Sequence, residues 1–231
     1  DDSETLLQCI DDLMAAGVDG IVMESPNATA PVEALREAAD QGVVIAAADV
    51  LLDIDESEGV LVSQTVSDNY NAGVLCAEDF IERLDGAEGT VCHMVYEENE
   101  AVTTRVQGFL DTIAEHDNIT VLEGTQPTPV TQEAEMALAE SWAAKYDEIS
   151  CVFGGGGPIA IAFMRGLEAA GVDCGPDGGT LVYGVDGSQD EYACIVDGDL
   201  TGTARQQPDE LARIATEDVY TVLNGGEIDH D

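Results

Sequence analysis

Apolar positions along this chain switch repeatedly between two spacings. Leu6, Leu7, Ile10, Leu13 and Met14 recur at the three-and-four interval of an amphipathic helix that Ser3 can cap and Gly17 stops. A short apolar strand over 20–24 follows, then a helix over 31–39 ending before Gly42, then an apolar strand over 43–48 that Asp49 closes. The scheme repeats. Strands are expected at 60–66, 90–95, 120–122, 150–153, 181–185 and 200–204, alternating with helices at 69–84, 101–115, 131–146, 158–170, 189–196 and 208–223. This alternation predicts an α/β fold of parallel sheet with helices on both faces.

A chain of 231 residues, 45% of them apolar, can bury one large α/β core or two lobes of about 100 residues each. Ala15-Ala16-Gly17-Val18-Asp19 returns as Ala169-Ala170-Gly171-Val172-Asp173, each time closing a helix ahead of a strand. Two similarly built lobes would produce this echo, and so would a common helix ending. No linker rich in Pro, Gly or Ser divides the chain, and the acidic stretch from Asp53 to Glu58 reads as a solvated loop.

Charge narrows the classes of partner. There are 48 acids against seven bases, a net charge of −41, and the bases are six arginines with a single lysine, Lys145. Such a surface repels nucleic acid and anionic lipid. Near molar salt the screening length falls to ~3 Å, so the excess, with its lysine depletion, reads as an adaptation to high salt, the alternative being an ordinary acidic secreted protein. No run approaches the ~20 apolar residues of a membrane helix, and the opening Asp1-Asp2-Ser3-Glu4 does not resemble a signal peptide, so an export signal would lie outside this chain. The six cysteines contain no CxxC pair. Cys9, Cys76, Cys92 and Cys151 sit among apolar neighbours and read as buried free thiols, whereas Cys174 and Cys194 lie in more polar surroundings that leave a disulfide open.

In a doubly wound sheet, ligands bind beyond the carboxyl ends of the strands. The residues there are Glu24, Asp49, the run from Gly154 to Gly157, and Asp186, with Arg105 and Gln206 in adjoining elements. Asp49 and Asp186 each follow an uncharged strand; such a carboxylate either accepts hydrogen bonds from a ligand or serves as a turn or cap residue. Arg105, among so few cations, either holds a hydroxyl pair or carboxylate with its planar fork or forms a surface ion pair.

The glycine run raises an enzymatic alternative. Gly155-x-Gly157-x-x-Ala160 fits the dinucleotide fingerprint between a strand and a helix, but Pro158 interrupts it and it falls deep in the chain. No lysine follows the glycines, which excludes a nucleotide P-loop. His93, His116 and His230 are scattered, no Gly-x-Ser-x-Gly elbow occurs, and Trp142 reads as a packing residue with Leu138, so no catalytic residue, cofactor or metal is expected.

The order of segments resembles the type I periplasmic binding proteins, in particular the ribose and galactose class. It is carried by Gly17-Val18-Asp19-Gly20-Ile21-Val22, by Gln41-Gly42-Val43-Val44-Ile45 leading to Asp49, and by Ser67-Asp68-Asn69 with Gly73. Arg105-Val106-Gln107-Gly108-Phe109, Val152-Phe153, Tyr183-Gly184-Val185-Asp186-Gly187 and Gln206-Gln207-Pro208 complete it. The resemblance implies a two-lobed fold, each lobe a parallel sheet with helices on both faces. The first lobe takes 1–67 plus 207–231, lacking an opening strand, helix and strand, and the second takes 68–206, with a hinge closing them on ligand. It implies that Asp49, Arg105, Asp186 and Gln206 hydrogen-bond sugar hydroxyls, and that Glu24 or Ser25 adds a polar contact. Gly156 stands where a ligand-contacting Asn or Asp is expected, and Val50 where an Arg often follows the first-lobe Asp. The implied function is extracytoplasmic capture of a small polar ligand, a sugar or related polyol, for delivery to an ABC-transporter membrane permease. The same core serves as the effector or sensor domain of sugar-responsive regulators, which is the alternative function.

Overall fold

The computed structural model describes residues 3–177 and 179–228, so His230 lies outside the described residues. In chain order the elements are α1 (Ser3–Ala16), β1 (Gly20–Met23), α2 (Val32–Asp40), β2 (Val44–Ala48), β3 (Ser63–Thr65), α3 (Asn69–Leu84), β4 (Gly89–Met94) and α4 (Glu100–Ile113). They continue as β5 (Ile119–Thr125), α5 (Gln132–Lys145), β6 (Cys151–Phe153), α6 (Gly157–Ala169), β7 (Leu181–Asp186), α7 (Gln189–Asp197), β8 (Gly202–Arg205) and α8 (Pro208–Leu223). The chain forms two compact units, Asp1–Ser67 with Gln207–Asp231, and Asp68–Gln206. Every strand pairing in both sheets is parallel.

The first unit is a three-stranded sheet in the order β1-β2-β3. Because successive strand residues face opposite sides, Ile45 and Ala47 of β2 join a core with Ile10 of α1, Ile21 and Met23 of β1 and Leu35 of α2. Ala46 packs on the other side with Ala215 and Val219 of α8. Gly20 lets α8 lie close, since a Cβ there would stand 2.5 Å from Val219 Cγ1. Cys9, expected to be buried, is exposed. It lies about 100° around α1 from buried Ile10, off the packed face, so apolar neighbours in sequence are not neighbours in the core. β3 is shorter than its apolar run, because Val60 packs into the core from the loop ahead of it.

The second unit is a five-stranded sheet in the order β5-β4-β6-β7-β8. Its central strand β6 is buried at every residue, as a strand covered on both faces requires. On one face Phe153 stacks on Phe109, ring centres 4.4 Å apart, and Phe109 on Phe80 at 6.3 Å, tying β6 to α4 and α3. On the other, buried Trp142 of α5 tilts against Phe163 of α6 at 5.0 Å. The thiols of Cys76 and Cys92 are pushed up to about 12 by burial, which leaves them protonated and inert. Cys174 and Cys194 are free.

Helices α3 and α4 cross at two glycines. A Cβ on Gly73 would stand 1.9 Å from the Arg105 carbonyl oxygen, and one on Gly108 would stand 2.1 Å from that of Tyr70. Backbone cannot yield as a side-chain tip can. Gly73→Ala is therefore expected to destabilise the unit by about 3 kcal/mol, the upper range for overpacking, measured as a drop in the urea midpoint with an unchanged slope.

Candidate ligand-binding site

In the five-stranded sheet the strand order reverses between β4 and β6, the place where open α/β sheets hold ligands. Arg105 follows β4 on α4, the glycine run follows β6, and Asp186 ends β7. The fold brings these together although they are far apart in sequence.

Arg105 is only 5% exposed and is fixed from three directions. Its Nε donates to Asn69 Oδ1 at 2.9 Å, and its Nη1 donates to the Gly155 carbonyl at 3.0 Å and to Asp186 Oδ1 at 3.2 Å. Asn69 is delivered by the first turn of α3, which Asp68 caps by accepting from the Asn71 amide. The Gly73 and Gly108 crossing sets the height of α3 against α4. Nη2 of Arg105 has no acceptor among the described residues, and it is not one of the fully buried unpaired atoms, so it reaches solvent.

Asp186 is held as firmly. Oδ1 also accepts from Gln206 Nε2 at 2.7 Å, while Oδ2 accepts from the Gly157 amide at 3.1 Å. Gly157 opens α6, so the carboxylate sits at the positive end of that helix beside a guanidinium. The Asp186 backbone has φ 139, and Asp49, ending β2 in the other unit, has φ 72. Such conformations cost a non-glycine residue about 1–3 kcal/mol and concentrate where function demands them. The Asp49 side chain makes no hydrogen bond among the described residues, and its amide donates to the Thr65 carbonyl.

Among the other expected residues, Glu24 is exposed. Ser25 is buried, its hydroxyl donating to the Asn27 carbonyl at 2.6 Å and accepting from the Asn27 amide, a local turn. Gly156 caps α6 with extended backbone, and a Cβ there would meet only Ile159, at 3.6 Å. The dinucleotide reading of the glycine run fails physically. The helix-end amide of Gly157 that a pyrophosphate would need is occupied by the Asp186 carboxylate, which would repel it. His93 is buried, its Nδ1 2.8 Å from the Met94 carbonyl oxygen, and burial pushes its pKa down. A hollow of about 350 Å³ between α3 and β8, bordered by Asp79, Arg83 and Arg205, contains none of Arg105, Asp186 or Gln206. Gly155 and Gly157 belong to the glycine run expected at the strand ends, whereas Asn69 is an addition to the cluster whose signal is the Asp68-Asn69 cap pattern.

The model of the periplasmic binding protein domain matches residues 1–227. The chain belongs to that family. It is similar to the ribose import binding protein of Bacillus subtilis, 24% identical over 227 residues, which covers 98% of this chain and 70% of that protein. It is also similar to the D-apiose import binding protein of Paraburkholderia graminis, 27% identical over 228 residues, with the same coverage of each. A periplasmic solute-binding protein of an ABC transporter from Actinobacillus succinogenes, solved with bound D-allose, superposes with a TM-score of 0.86 at 25% identity, covering 98% of this chain and 80% of that one. The binding component of an arabinose ABC transporter from Shewanella, at 20% identity and a TM-score of 0.85, covers 98% and 74% and shares the fold. The architecture is thus the type I periplasmic-binding α/β fold. No described helix is long and apolar enough to cross a membrane.

Proposed function

We propose that this chain captures a small polyhydroxylated ligand, a sugar or related polyol, and releases it unchanged to an ABC-transporter permease outside the cytoplasm. The observation that carries the reading is the Arg105–Asp186–Gln206 cluster at the strand ends. Neighbouring ring hydroxyls each need a donor and an acceptor. Arg105 Nη2 supplies an unused donor, and the Asp186 carboxylate, with two oxygens and about four lone-pair sites, retains acceptor capacity after three bonds. Asp49 supplies an unpaired carboxylate in its own unit and is assigned the same kind of role. Gly156 contributes space.

The family membership and the import-binding relatives support transport and non-enzymatic binding together. A thermal-shift screen of D-ribose, D-apiose, D-allose and L-arabinose is expected to raise the melting temperature for at least one of them. At a hundred times its Kd a ligand stabilises the native state by about 2.7 kcal/mol. No shift with any sugar or polyol would overturn the reading.

A further inference from the structure

Glu191 is completely buried, and nothing in ligand binding as described uses it. It stands on the first turn of α7, directly after the Asp186 turn, as the third residue of a capping box with Ser188. One carboxylate oxygen, Oε2, accepts from the Ser188 amide at 2.8 Å, and the other accepts from the Thr203 hydroxyl on β8. That hydroxyl also accepts from the Gly187 amide at 3.2 Å. The carboxylate therefore ties the two residues that follow Asp186, Gly187 through the Thr203 hydroxyl and Ser188 directly, to the neighbouring strand.

The same carboxylate underlies the site from behind. A Cβ on Gly157 would stand 2.5 Å from its carboxyl carbon, and one on Gly184 would stand 2.6 Å from Oε1. Gly157 thus lies between two acids, its amide bound to Asp186 on one side and its α-carbon against Glu191 on the other. Asp186 keeps φ 139, a conformation the surroundings must impose. The contacts that impose it run through Gly187, Ser188, Thr203 and Gly157, and Glu191 touches all but the first directly.

We infer that Glu191 is a positioning residue for the binding site: its buried carboxylate fixes the strained Asp186 turn and the Gly157 amide, and so sets the aim of the ligand-accepting carboxylate. This inference rests on the reading of Asp186 as a ligand group. Glutamine at 191 keeps the shape but removes the charge: its one oxygen can serve the Ser188 amide, while its Nε2 can only donate to the Thr203 hydroxyl, so the Thr203 tie is reversed and both ties weaken from charge-assisted to neutral bonds.

The test uses the full chain carrying Glu191→Gln, with Thr203→Val as a second variant should the first fail to fold. Amide exchange at Gly157 is expected to rise about tenfold in either variant, the loss of roughly one hydrogen bond, while the Ala160 amide inside α6 keeps its rate. With D-ribose and D-allose as probes, Glu191→Gln is expected to weaken binding about tenfold, yet to add nothing in an Asp186→Asn background, because both changes act through one group. Unchanged Gly157 exchange in a folded variant, or effects that add, would overturn the positioning role. Should the parent protein bind neither probe, the sugar reading is what suffers, and the exchange measurement still decides the role of Glu191.

Discussion

Arg105→Ala is expected to weaken sugar binding by about a hundredfold or more and to lower the stability of its unit by about 3 kcal/mol. The side chain is 7% exposed and its ionic partner, Asp186, is 31% exposed, so the pair sits at the edge of the core, where solvent screens it only partly. Removing the guanidinium takes away the Nη2 donor assigned to the ligand. It also leaves the Asn69 side-chain oxygen and the Gly155 carbonyl without their donor, and Asp186 without its cation. An uncompensated buried acceptor costs more than the bond it made. Arg105→Lys is expected to recover little, because one ammonium cannot reach the three acceptors that the planar fork meets in fixed directions. Urea denaturation and titration calorimetry with the same sugar separate the two losses. Equal binding in folded Arg105→Lys would remove the fork geometry from the account.

The second large effect is expected from salt. Seven cations, even if each took one acid, leave 41 carboxylates without a cation of their own. The structure concentrates the pairing further, with Arg36 bridging Glu33 and Glu58 and Arg213 bridging Glu210 and Glu217, so four acids share two cations. These exposed pairs contribute little to stability, and the repulsion among the rest acts over the screening length. That length is about 10 Å at 0.1 M and about 3 Å at 1 M, so the melting temperature should climb steeply across this interval, by a similar amount in NaCl and KCl at the low end. A flat melting temperature from 0.1 M to molar salt would show that the acid excess is not a salt adaptation.

Much of this architecture can be read in the sequence where local chemistry marks an element's ends. Helix α3 runs over 69–84 as its pattern predicts, because Asp68 caps it and Asp85 ends it in a left-handed turn. Helix α8 runs over 208–223 because Pro208 can only open a helix. Strands were less legible. β5 extends to Thr125 through Glu123 and Gly124, past the apolar residues, because it pairs with β4 across a register shift at Val91/Cys92. An edge strand with one solvated side needs no continuous apolar run.

At the site, the individual residues could be picked out as strand-end polar groups, but not their arrangement. The Arg105–Asp186 contact spans 81 positions, and no local pattern encodes a pairing at that distance. Glu191 carried a readable signal, the Ser188-x-x-Glu191 capping box, yet a capping box ordinarily sits in solvent. Its burial follows from Gly157 and Gly184 opening the space that the carboxylate fills.

The most direct test is calorimetric titration of the parent protein and of Asp186→Asn with D-ribose, D-apiose and D-allose in molar KCl, with the sugar recovered and analysed afterwards. Saturable one-to-one binding of at least one sugar, weakened about tenfold or more in the variant and with the sugar returned unaltered, is the predicted result. Binding that is indifferent to the Asp186 substitution, or a sugar recovered as a different compound, would contradict the assignment.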